Sequence, residues 1–188
     1  MKPESKRKLL HVVLTSYPLL YVRSENFAKL NIAVTTVLLL IWCTSETLRT
    51  RFKLKSAPTY ILLKNMTRKN ADVLSMSFKI PNWLIAYFLL GIIVSSTHFI
   101  NGVCVLCFGD SAASLLGKRG AKKSFQGSLA GFLVAFIFCF IFTRDALLAL
   151  GASLLGMAVE YLARGINDNY VVPLGGGVGS YLFSLLRG

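Results

Sequence analysis

The chain has 188 residues, of which 54% are hydrophobic and only eight are acidic, and it carries a formal charge of +13; its mean hydropathy is +0.60. That balance argues against a water-soluble globule and predicts a single integral membrane domain. The bases lie between apolar runs, which favours anionic lipid headgroups and phosphate ligands over a nucleic-acid partner.

A helix crosses the bilayer with about 20 mostly apolar residues and a lower limit of about 17. The expected architecture is therefore all-α, a polytopic bundle of about seven spans at 9–22, 30–47, 81–99, 100–117, 127–143, 145–163 and 170–186. Tyr17-Pro18 interrupts the first run, which also lacks a small-residue cleavage site, so the N-terminus is expected to be retained. Pro81 opens the third span. Asn101-Gly102 predicts a tight return, Arg144-Asp145 a second turn, and Gly165 with Asn167-Asp168-Asn169 a third. With the N-terminus cytoplasmic, every lysine and arginine except Arg23, Lys29, Arg144 and Arg187 falls on the inner face, as the positive-inside rule requires. The basic connection 46–80 is either a topogenic loop or an interfacial segment through Tyr60-Ile61-Leu62-Leu63.

The most informative stretch runs from Gly109 to Gly131. Asp110 ends an apolar run among small residues; a cationic loop comes next, with Lys118, Arg119, Lys122 and Lys123; Ser124 then precedes the glycine-rich start of the next run. Gly109, Ala112, Ala113, Gly117, Gly127 and Gly131 would let helices approach closely, and Ser124 is a good N-cap. Packing alone does not account for the bases between them, whereas phosphate is well matched to bases beside a helix N-terminus.

Three of the eight acids remain once those in polar connections, and Asp145, expected to pair with Arg144 at the outer surface, are set aside. Asp110 lies two turns before Lys118 and Glu160 one turn before Arg164, so both are expected just below the cytoplasmic headgroups; Asp168 sits in the next connection. A bare carboxylate at that depth costs ~2.5 kcal/mol or more unless it faces water or a cation. Glu160 could also pair with Arg164 at i,i+4. Carboxylate and amide oxygens at Glu160, Asp168 and Asn169 suit magnesium, although Asn-Asp-Asn is also an ordinary turn.

Other chemistries have little support. Lys118 is followed by Arg119, so no soluble-type P-loop is present. Gly175-Gly176-Gly177-Val178-Gly179 reads as a helix-packing or kinking stretch. His11 and His98 stand alone. Cys104 and Cys107 form one CxxC without a second pair, so they, Cys43 and Cys139 read as packing or lipid-facing residues rather than zinc ligands.

The chain resembles the CTP-dependent polyprenol and lipid kinases: dolichol kinase, phytol kinase and the CTP-dependent diacylglycerol kinase, relatives of membrane phosphatidate cytidylyltransferases. The resemblance rests on Arg7-Lys8-Leu9-Leu10-His11, on Gly109-Asp110-Ser111-Ala112-Ala113 with Gly117, Lys123-Ser124 and Gly127, and on Glu160 with Asp168-Asn169 and Val172-Pro173-Leu174. It implies transfer of the gamma phosphoryl of CTP, with Mg2+, to a membrane lipid alcohol. Asp110, Lys123, Glu160 and Asp168 would then be catalytic. Arg7, Lys8, Gly117, Lys118, Lys122, Ser124, Gly127 and Asn169 would bind the nucleotide, and Asp110, Glu160 and Asp168 would supply the metal ligands. Asp110 with Asp168 or Glu160 would hold the metal or take the hydroxyl proton. Rival readings are a cytidylyltransferase, an ion or solute transporter using Asp110 and Glu160, and a non-catalytic scaffold.

Overall fold

The computed structural model describes residues 9, 12–22, 24–52, 82–117, 123–163 and 166–187. All regular structure among them is helical: α1 Phe27–Phe52, α2 Asn82–Ile93, α3 Ser96–Leu116, α4 Phe125–Thr143, α5 Ala146–Leu162 and α6 Asp168–Ser184, with 3-10 turns at Tyr17–Tyr21 and Leu185–Arg187. Three of these helices, α1 over Phe27–Leu48, α3 and α4, are long and apolar enough to cross a membrane.

α3 is the axis of the bundle: 72% of its apolar window is buried, against 22% for α1 and for α4. Val103, Cys104, Val105, Leu106 and Cys107 on α3 are fully enclosed, packed with Tyr87 and Leu90 of α2, Ala135 and Cys139 of α4, Ala149 and Ala152 of α5, and Val172 of α6. The outward faces of α1 and α4 are apolar instead, with Leu40, Ile41, Leu129, Leu133, Ile137 and Phe140 exposed.

Glycines set the closest helix contacts. Gly109 on α3 faces Gly131 on α4, Gly156 on α5 faces Gly176 on α6, and Gly151 on α5 faces Gly179 on α6. The Gly175–Gly179 stretch is thus the packing seam that its composition predicts. Without a side chain on either partner, backbones can approach to van der Waals contact where apolar surroundings give little other drive for association.

Three expected boundaries are corrected. The 9–22 run is not one helix: residues 12–15 are helical, and a 3-10 turn with Pro18 near its start comes next at Tyr17–Tyr21. Pro18 cannot donate and restricts Tyr17, so the α-helical ladder stops there. An aromatic cluster holds the turn in place, with Tyr17 5.8 Å from Trp83 and 6.1 Å from Tyr87 between ring centroids.

The second correction is at Asn101-Gly102, which is not a turn. Both residues are buried inside α3, and the chain reverses instead at Val94-Ser95. Leu90 then lies against Gly102 and Tyr87 approaches Cys107, so α2 and α3 run antiparallel. Asn101 is committed to a side-chain hydrogen bond with Ser180, while a Cβ on Gly102 would come 2.5 Å from the Pro173 carbonyl of α6. α1 also runs on to Phe52, beyond the expected end at 47; most of the basic 46–80 connection lies outside the described residues.

Candidate functional site

The short connections between α3, α4, α5 and α6 make these helices alternate in direction. The end of α3, the start of α4, the end of α5 and the start of α6 therefore meet at one end of the bundle. The described N-terminal segment points the same way: Thr15 is level with Cys107 of α3, and Phe27 with Phe99.

Asp110 reaches this end through a wide turn. Val105–Asp110 is a π-helix within α3, a feature that rotates the rest of the helix in register and often accompanies functional positions. Gly109 is left facing Gly131, and Asp110 is 6% exposed. On the facing helix Glu160 is also 6% exposed. Its carboxylate lies in the fields of Lys123, Asp110 and Asp168 together.

Lys123 ties the cluster together. Its ammonium donates to Asp168 Oδ1 at 2.7 Å, to the Ala163 carbonyl at 2.8 Å and to the Glu160 carbonyl. The two carbonyls belong to the last turn and C-cap of α5, where main-chain acceptors have no helical partner, and Asp168 opens α6, where a negative charge is favoured. One cation thus caps the negative end of one helix and pairs with the acid that begins the next.

Ser124 caps α4, its Oγ accepting from Gly127 N at 3.1 Å. Gly117 ends α3 and stacks on that cap: a Cβ there would meet Ser124 Oγ at 3.0 Å, and one on Gly127 would meet Gly117 Cα at 3.0 Å. Gly117, Ser124 and Gly127 are brought together, and close packing accounts for both glycines. Asn169 lies in the first turn of α6, its N–H donating to the N-cap Asn167 at 3.0 Å. Arg7, Lys8, Lys118 and Lys122 lie outside the described residues.

Ser128 is a site residue that the sequence does not announce. Its hydroxyl donates to Glu160 Oε2 at 2.7 Å. The one signal in the chain is its spacing, four residues after Ser124 and beside Gly127 on the face toward α5. Asn167 is the α6 cap, although its sequence neighbourhood reads only as a turn.

The opposite end is organised differently. Asp145 pairs with Arg187 through two contacts at 2.5 and 2.7 Å and caps α5, rather than pairing with Arg144 as expected. Arg144 ends α4 in the left-handed region with φ of 57°. His98 is buried there, bonded through Nδ1 to Ser180 Oγ at 2.9 Å, and Asn101 Nδ2 donates to the same oxygen at 2.8 Å.

Among the described residues, no three acids, histidines or cysteines converge closely enough to cage a metal ion. The donor chemistry at the Asp110 end is nonetheless that of a hard cation: carboxylates on three elements, together with a serine hydroxyl. Magnesium commonly takes one or two protein carboxylates and fills its remaining positions with water and phosphate oxygens. Cys104, Cys107 and Cys139 are free thiols buried in the packing, and Cys43 is exposed on α1.

The chain matches no known protein-family profile, no curated protein and no solved structure.

Proposed function

We propose that the protein is an integral membrane phosphotransferase that moves the gamma phosphoryl of CTP to the hydroxyl of a lipid alcohol, such as a polyprenol, a phytol-like alcohol or a diacylglycerol. In this reading the bundle crosses the bilayer about seven times, with its N-terminus and the Asp110 end at the cytoplasmic face. The apolar outer faces of α1 and α4 support insertion, and the distribution of bases supports the orientation. The observation that carries the chemistry is the meeting of Lys123, Glu160 and Asp168 at one end of the bundle, with Asp110 in electrostatic reach.

Phosphoryl transfer asks a protein chiefly for positioning and neutralisation of charge. Asp110, with Glu160 or Asp168, would hold Mg2+, which when bound would offset the charge of the triphosphate. Arg7, Lys8, Lys118 and Lys122 would supply cations to the nucleotide, and anionic headgroups would share the same basic face. A carboxylate at this end would take the proton from the acceptor hydroxyl as its oxygen bonds to the gamma phosphorus. The bridging bond to CDP breaks and CDP leaves. The acceptor's tail would stay in lipid.

Purified protein given labelled CTP and Mg2+ with a panel of lipid alcohols tests this reading. Phosphorylated lipid and released CDP are expected. Pyrophosphate release from a lipid phosphate would make it a cytidylyltransferase instead. Ion or solute flux in proteoliposomes without nucleotide turnover would make it a transporter.

A further inference from the structure

The start of α4 grips the acidic end of α5 and the first residue of α6 at several points. An ammonium has three donors, and three protein oxygens take those of Lys123: the Glu160 carbonyl, the Ala163 carbonyl and Asp168 Oδ1. One turn into α4, Ser128 holds Glu160 Oε2. Glu160 is thus fixed through its main chain and through its carboxylate by residues five apart on one helix start. The same lysine fixes Asp168. The Lys123 side chain is 17% exposed and that of Asp168 36%, so solvent screens their attraction and the geometry matters more than the charge energy.

We propose that Lys123 and Ser128 are positioning residues, a two-point clamp that sets the orientation of the Glu160 carboxylate and its separation from Asp168, and that Lys123 is not a ligand of the triphosphate. A phosphate contact would require Lys123 to give up one of its three acceptors. Releasing a carbonyl uncaps the end of α5, and releasing Asp168 gives up its ion pair at the start of α6. Either change would move the acidic groups that would hold the nucleotide's metal on the kinase reading. The effect on turnover rests on the kinase reading above; the clamp itself does not.

Two measurements decide it. The first needs no nucleotide: thermal unfolding in detergent of Lys123→Met, Asp168→Asn and the double variant. The double variant is expected to lose no more than Lys123→Met alone, because that variant already removes the bond to Asp168; strictly additive losses overturn the clamp. The second is kinetic. Ser128→Ala is expected to lower kcat about tenfold or more, the scale of a hydrogen bond to a charged group, while the KM for CTP moves less than about twofold. Ser128→Thr, which keeps the hydroxyl, should restore most of the rate. Lys123→Met should show the same pattern; a rise of about tenfold in its KM for CTP with kcat retained would make it a phosphate ligand and overturn the proposal. If the wild-type protein turns over no CTP, the kinase reading fails and the unfolding cycle still decides the clamp.

Discussion

Gly151 on α5 and Gly179 on α6 meet backbone to backbone: a Cβ on Gly151 would lie 2.6 Å from the Gly179 carbonyl oxygen, and one on Gly179 would collide with the Gly151 carbonyl in turn. Neither carbonyl can rotate away as a side chain would, so a methyl group must push the helices apart. Gly179→Ala is expected to destabilise the protein by about 1–3 kcal/mol, the usual range for overpacking. Gly175→Ala is the control. Its added Cβ meets nothing nearer than 3.3 Å, and alanine is the better helix former by roughly 0.5–1 kcal/mol, so that variant should be neutral or slightly stabilised. Thermal unfolding in detergent separates the two; equal losses would show that the seam is not tightly packed.

The same glycines show how much of the fold is legible in the sequence. Small residues spaced along apolar runs announce close packing, and the Gly175–Gly179 stretch behaves accordingly. Asn101-Gly102 misleads because a turn and a tight interhelical contact draw on the same residue types: Asn101 satisfies a buried hydroxyl and Gly102 makes room for Pro173, so the dipeptide lies inside a helix. The grouping of Lys123, Glu160 and Asp168 comes from the helix lengths and the short connections that make the helices alternate, both visible in the chain. Ser128 is not visible, because one hydroxyl in a run of small residues gives no periodic signal. Nor is the π-turn before Asp110, which reflects the packing of α3 against its neighbours rather than local preference.

Ser180 serves two buried partners. His98 and Asn101 both bond its hydroxyl, and Asn101 and Ser180 are fully enclosed. Ser180→Ala removes the shared oxygen and leaves a buried donor of Asn101 without its acceptor, at an expected cost of about 1–3 kcal/mol. Adding Asn101→Leu should recover part of that loss, because only His98 Nδ1 then remains of the two groups that bond Ser180. The readout is the midpoint of thermal unfolding for both variants; a double variant as damaged as the sum of its parts would count against the shared bond.

Asp110 combines low exposure with a place in the field of Glu160. Asp110→Asn keeps the shape and volume of the side chain and removes its charge, so the unfolding midpoint should change little. Under the proposed kinase reading, turnover of CTP should fall by at least about two orders of magnitude, as when charge stabilisation is withdrawn from a reacting centre. Activity retained by a folded Asp110→Asn protein would take Asp110 out of the mechanism.

The arrangement of the bundle gives a prediction about sidedness that needs no substrate. Ser124 caps the start of α4 and Asn167 the start of α6, both at the end where Lys123 meets Asp168, whereas Arg144 closes α4 at the far end. Single cysteines at these positions, in a protein whose Cys43, Cys104, Cys107 and Cys139 are replaced by serine or alanine, can be probed with a membrane-impermeant maleimide in intact and in opened vesicles. Ser124→Cys and Asn167→Cys should label from the same side, the cytoplasmic one given the excess of bases there, and Arg144→Cys from the other. Labelling of Ser124→Cys and Asn167→Cys from opposite sides would separate the two halves of the candidate site by a bilayer, and no phosphate, metal or lipid hydroxyl could then be shared between them.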